Sequence, residues 1–205
     1  MIDEAVIAEM EKGWAAHGYV YQGVNRSVLK LKHFEDHSCA LLKDKDVLEF
    51  ACNAGLFGYL ISQYAKSYTG VEPGNMLKDH KHSDIDYFKQ TDITKSFIKT
   101  DNVKYINNTV GGFLETDKDT AYNALVICFA LYHFSDKEIE MIKAVVLPKC
   151  DTVIIQNRNS KRNTIRNSQK LYKNKNIVKM LEAAGFKCTV YDFNNGKYSE
   201  IIAQK

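Results

Sequence analysis

The chain is short of the features that would set it apart from ordinary globular proteins. Its five cysteines, Cys39, Cys52, Cys128, Cys150 and Cys188, form no CxxC pair and are odd in number, which argues against a disulfide framework. Three of them fall in or beside predicted strands, so reduced, buried thiols in a cytosol-like compartment are expected. No apolar run approaches membrane-spanning length. The start, MIDEAVIAEMEKGW, is acidic and amphipathic, without the cationic and apolar regions of a secretory signal. A cytoplasmic protein with no membrane partner is therefore expected. There is no internal repeat and no low-complexity linker. Nor is there an excess of one charge: a net +3 by itself predicts no nucleic-acid partner.

What is present is an ordinary globular composition, 45% hydrophobic and 26% charged over 205 residues, enough for one domain with a sizeable core. The chain is organised around DVLEFACNAGLFGYLISQYAKSYTGVE, from Asp46 to Glu72. Val47 to Phe50 is an apolar run suited to a buried parallel strand. Ala51-Cys52-Asn53-Ala54-Gly55 follows with little side-chain bulk, so a ligand can lie against its backbone and face the next helix N-terminus. Leu56, Phe57, Leu60, Ile61 and Tyr64 recur at helical spacing. Tyr68 to Val71 is a second strand, ending in Glu72-Pro73-Gly74. An acid at that place is positioned to take both hydroxyls of a ribose, which predicts a nucleoside-type cofactor.

Around this unit the remaining elements are read in order. A helix is predicted over residues 3 to 16, with Val6, Ile7, Met10 and Trp14 on one side. A second runs from Ser27 to about Leu42. Residues 1 to 45 are thus expected to form a helical lid or buttress, with Tyr19, Tyr21 and Arg26 as its most site-like members. His33, His37 and Cys39 invite a metal reading, but Phe34 stands where the zinc-protease pattern needs Glu; His80 and His82 have no evident partner. No metal is expected. Helical segments follow from Asn75 to His82 and Asp84 to Lys99, the latter burying Ile85, Phe88, Ile93 and Phe97. A third strand is placed over Asn102 to Thr109, with a short connection to the apolar run from Asn123 to Phe129, the expected central strand. Ser135-Asp136 caps a helix that Pro148 stops. Thr152 to Gln156 is a fifth strand, Gln169 to Ala184 a helix, and the end a hairpin around Asn194-Asn195-Gly196. Residues 46 to 205 form the second unit. The pattern predicts an α/β fold: a mostly parallel sheet with an antiparallel strand at its end.

Over residues 46 to 205 this order resembles the class I S-adenosylmethionine-dependent methyltransferases. VLEFACNAG is similar to that family's first motif, in which an acid precedes a glycine-rich turn. Ala51, Asn53 and Gly55 stand where three glycines are usual, so the turn is expected to avoid the backbone angles that only glycine tolerates. TAYNALVICFALYHFSD resembles the fourth-strand motif, and LEAAGF before a hairpin resembles the frequent ending. The resemblance implies a Rossmann-like three-layer α/β/α sandwich on a seven-stranded sheet, with S-adenosylmethionine as cofactor. It places Glu49, Ala51, Cys52, Asn53 and Gly55 at the methionine part and Glu72 at the ribose. Pro73 and Met76 lie near the adenine, and Asn108, Thr109 and Val110 border it. Phe129 to His133 face the sulfonium and acceptor.

In that setting His133 is the candidate general base, a titratable side chain just past the central strand, and Tyr132 the candidate for orienting the acceptor. Packing and helix capping are the alternative roles for His133. From Lys149 to Lys179 nine basic residues face a single acid, Asp151. Arg158, Lys161, Arg162 and Arg166 are therefore expected to meet an acidic acceptor, with Tyr21 and Arg26 beside it; a solvated helix and loop is the competing reading. A small acidic or sugar-like metabolite methylated on O or N leads, because no aromatic platform interleaves the basic stretch. Transfer RNA is the alternative acceptor. Two readings of other classes stay open: a non-catalytic nucleotide or RNA binder on a degenerate fold, and an NAD-dependent oxidoreductase, against which the missing GxGxxG counts. Oligomeric state is not legible.

Overall fold

A computed structural model describes residues 2–17, 23–73, 87–117, 119–159 and 173–205. The expectations for Tyr19, Tyr21, Met76, Lys161, Arg162 and Arg166, and for the segment 75–82, fall outside these residues.

Seven strands form one sheet: β1 Asp46–Phe50, β2 Ser67–Glu72, β3 Val103–Asn107, β4 Ala124–Cys128, β5 Thr152–Arg158, β6 Lys187–Phe193 and β7 Tyr198–Gln204. Their spatial order is β3-β2-β1-β4-β5-β7-β6. The first five pair in parallel, while β7 inserts antiparallel between β5 and β6. β4 is therefore central, as its continuous apolar run requires of a strand covered on both faces. The direction of strand addition reverses at β1: β2 and β3 are laid down on one side of it, β4 and β5 on the other. Such a switch opens a crevice at the carboxyl ends of β1 and β4.

Helices cover both faces. α1 (Glu4–Ala15), α2 (Val24–His37), α3 (Leu56–Ile61) and α4 (Tyr87–Ser96) pack on one; α5 (Val110–Thr116), α6 (Asp136–Met141) and α7 (Asn174–Ala183) pack on the other. Alternation along β1 serves the two layers. Leu48 and Phe50 join Phe113, Ile139, Ile177 and Leu181, whereas Val47 joins Ile7, Met10, Trp14, Leu31 and Phe34. The α1–α2 pair thus supplies much of one core layer, and Ile7, Met10, Trp14, Leu31 and Phe34 are fully buried.

Three local features differ from expectation. The connection after β3 contains a helix, α5, capped by Thr109, whose Oγ1 accepts from the Gly112 amide at 3.0 Å. Gly111 and Gly112 in its first turn hide it from propensity reasoning, yet a parallel β3–β4 topology needs such a crossover. The buried side of α4 is polar, with Gln90, Thr91 and Thr94 inside and Ile93 and Phe97 only half-buried. The Trp14 indole N–H lies between Gln90 O (3.1 Å) and Thr94 Oγ1 (3.2 Å), tying α1 to α4. Finally, α6 starts with a Ser135–Glu138 capping box but widens into a π-helical turn at Ile142–Val146.

Candidate active site

The turn leaving β1 has a conformation that its composition disguises. Ala51 and Asn53 sit at φ +55° and +54°, and Gly55 at +82°, so all three alternate positions are left-handed. This corrects the expectation that a turn with one glycine avoids such angles. Asn tolerates the region through local hydrogen bonding, and the Asn53 side chain accepts from the Ala54 amide at 2.7 Å. Ala51 has no such help and carries strain of about 1–2 kcal/mol.

Neighbouring backbone and side chains hold the turn in place. The Ala51 amide donates to Val71 O at 2.8 Å, and Cys52 N to the same oxygen at 3.3 Å. Thr94 Oγ1 donates to Ala54 O from α4. Beneath it, Tyr68 and Tyr105 fill the space between β2, β3 and α3. A Cβ on Gly55 would meet the Tyr105 hydroxyl, and one on Gly58 would lie 2.7 Å from both the Tyr68 and Tyr105 side chains. Gly70 is hemmed in the same way by Cys52 Sγ and the Tyr68 hydroxyl, each at 2.8 Å. These glycines make room for rings.

Two carboxyls flank the turn in different settings. Glu49, on β1, is 1% exposed and accepts from the Tyr68 hydroxyl at 2.6 Å. Burial pushes its pKa up to about 8, with the nearby Glu72 adding to the rise and the Tyr68 hydrogen bond opposing it. Glu49 therefore lies under the turn, and Cys52 is buried there too. Glu72, at the end of β2, is half-buried and accepts from the Asn53 amide at 2.8 Å through one oxygen. Its other oxygen takes no hydrogen bond from a described residue. Burial raises Glu72 to about 7, against the pull of the Asn53 amide. Pro73 follows, half-buried.

Asn108, half-buried, continues from β3; its amide donates to Glu72 O at 3.2 Å, which sets it beside the same strand end. Thr109 is committed to its cap, and Val110 is 5% exposed in the core. Past β4, Phe129 adopts φ +56°, another strained position at the crevice. The 3-10 turn Leu131–His133 follows, with Tyr132 half-buried and His133 exposed, their rings 4.2 Å apart.

Across from Phe129 lies a group of cations that sequence reading found only in part. Lys30 Nζ stands 4.2 Å from the Phe129 ring centre and 5.7 Å from that of Tyr198. Arg26 and Lys197 each lie 5.6 Å from the Tyr198 ring. Burial lowers Lys30 to about 8, and Arg26, Arg158 and Lys197 add to the fall. No described carboxylate pairs with any of the four. The Arg26 Nε and the Tyr198 hydroxyl are buried without hydrogen-bond partners. Arg26 and Arg158 were anticipated; Lys30 and Lys197 were not. The helical spacing of Lys30 from Arg26 and the position of Lys197 just after the Asn-Asn-Gly turn were the available signals.

The strand order, the left-handed turn and the acid across from it define the fold of class I S-adenosylmethionine-dependent methyltransferases. The chain is similar to several solved structures of that kind. One is a SAM-dependent methyltransferase from Aquifex aeolicus, at 14% identity and TM-score 0.62 over 99% of this chain and 98% of that one. Another is a DhpI–SAM–HEP complex, at 12% identity and TM-score 0.63 over 98% and 97%. A third is magnesium protoporphyrin IX methyltransferase from Synechocystis with bound SAH, at 12% identity and TM-score 0.61 over 99% and 100%. No protein-family model matches the chain, and no curated protein does. Among the described residues, no helix is long and apolar enough to cross a membrane.

Proposed function

We propose that the chain binds S-adenosylmethionine across the Ala51–Gly55 turn and Glu72, and transfers its methyl to an O or N of a small acidic acceptor. One observation carries this reading: the turn keeps three left-handed positions with only one glycine, at a cost to stability, opposite a carboxylate with an uncommitted oxygen. The solved neighbours include SAM and SAH complexes, which supports the same cofactor.

When bound, the cofactor supplies a methyl on positively charged sulfur, so the chain has chiefly to align a nucleophile. The Glu72 carboxylate takes the ribose hydroxyls. The turn's backbone lies against the methionine part, and Asn108 borders the base. Arg26, Lys30, Arg158 and Lys197 hold an anionic group of the acceptor beside Phe129. His133, at the exposed lip, takes the acceptor's proton where the nucleophile carries one. Structured RNA is the alternative acceptor for the same cations.

Calorimetry with SAM, SAH and NAD tests the cofactor. Binding of the first two and not the third is expected; NAD binding without SAM would overturn the reading. For the acceptor, product formation from small acids with shallow salt dependence is expected. Steep salt dependence with an RNA substrate would favour the alternative.

A further inference from the structure

We propose that His33, His37 and Glu200 form a site for one divalent transition-metal ion that pins α2 to the C-terminal hairpin. The three come from distant parts of the chain. His33 and His37 share a face of α2 at i and i+4, while Glu200 stands on β7. One donor atom from each lies within 4.8 Å of the others. Coordination bonds of about 2.0–2.2 Å require donor separations of roughly 3–4 Å, so closure needs only a small contraction. His37, partly exposed, is free to supply it and leaves a side open to solvent. The zinc-protease pattern adds a general-base Glu directly after the first of its two helical histidines, where Phe34 stands here; the third candidate ligand is a carboxylate from the far end of the chain.

His37 and Glu200 already make hydrogen bonds of the kind that orient metal ligands. His37 Nδ1 lies 2.9 Å from His33 O. With Nδ1–H donating there, the Nε2 lone pair is left for an ion. The Glu200 oxygens accept from Ser38 Oγ at 2.7 Å and from Gln156 Nε2 at 2.5 Å, which fixes the carboxylate. His33 is stacked between His37 and Phe193, at 4.3 and 4.0 Å between ring centres, and its Nε2 is buried with no hydrogen-bond partner. Glu200 itself is fully buried, and no described salt bridge compensates it. An unpaired buried carboxylate is costly, and a cation would remove that cost. Two imidazoles and one carboxylate suit Zn2+; Mg2+ and Ca2+ prefer all-oxygen sets.

The test is calorimetry of the reduced full chain with Zn2+, with Mg2+ as control, alongside His37→Ala and Glu200→Gln. One Zn2+ per chain is expected, with affinity falling at least about tenfold in each variant. A rise in Tm with Zn2+ is expected in the wild type and not in His37→Ala or Glu200→Gln. Co2+ should give a spectrum without thiolate charge transfer. Absence of Zn2+ binding, equal affinity in wild type and both variants, or a thiolate band that assigns the ion to the cysteines would each overturn the proposal. None of these results bears on methyl transfer, so the two readings fail separately.

Discussion

The Glu72 carboxylate accepts a hydrogen bond from the Asn53 amide at 2.8 Å, joining the end of β2 to the left-handed turn after β1. Together with the Ala51 and Cys52 amides on Val71 O, this contact holds the proposed ribose-binding acid in register with the proposed cofactor loop. It uses a single oxygen, and burial raises the group to about 7. Ribose hydroxyls donate best to the ionised form. Affinity for SAH is therefore predicted to strengthen as pH rises toward about 7 and to level off above it. Titrations at pH 5.5 and 8 should differ by roughly tenfold or more, and Glu72→Ala should flatten the dependence.

Glu49 makes a prediction about stability rather than binding. Its folded pKa is raised from 4.5 to about 8, so the folded state holds the proton more tightly than the unfolded chain. The associated stability is fully present below about pH 4.5 and is lost as pH rises through about 8. Glu49→Gln keeps an acceptor for the Tyr68 hydroxyl and removes the ionisation. Its Tm is expected to exceed that of the wild type by about 5 °C or more at pH 9, with a smaller gap at pH 6. Thermal melts across this range check the sign.

Relief of the strained turn is equally direct. Ala51→Gly removes the left-handed penalty at φ +55° and adds unfolded-state entropy, for a net gain of about 0.5–1 kcal/mol. Gly70→Ala has the opposite effect. Its Cβ would press on Cys52 Sγ and the Tyr68 hydroxyl, and a loss of about 1–3 kcal/mol is expected. Urea unfolding of the two variants should move in opposite directions.

For the acceptor side, the lowered Lys30 pKa of about 8 sets a window. Lys30 loses its charge as pH rises through 8, so anion affinity should fall between pH 7 and 9. An inorganic phosphate titration is predicted to weaken by about tenfold over that range. Lys30→Gln should bind phosphate weakly at both pH values.

Much of the fold was legible because β1, β4 and β5 are short apolar runs bounded by turn residues, too short for buried helices. α5 was hidden by Gly111 and Gly112, which lower helix propensity at a place where topology demands a helix. The polar face of α4 was hidden because its tie to the core is long-range: Thr94 bonds the Trp14 indole and the Ala54 carbonyl, while the buried Gln90 side chain has no partner among the described residues. At the candidate site, residue types and spacing singled out Glu72 and the turn. They gave no access to the angles of Ala51 and Asn53, since backbone strain is imposed by packing and not by composition. Nor could they show that Lys30, from α2, and Lys197, from the hairpin, converge on Tyr198, because three-dimensional proximity of distant segments leaves no local pattern.

The crevice between the Ala51–Gly55 turn and Glu72 is proposed to take an adenosine-bearing sulfonium. Calorimetric titration of the full chain with S-adenosylmethionine, repeated on Glu72→Ala, tests that most directly. One cofactor per chain is expected, bound at least about tenfold more weakly when the carboxylate is removed. Failure of the wild type to bind, or equal binding by the variant, would contradict the proposal.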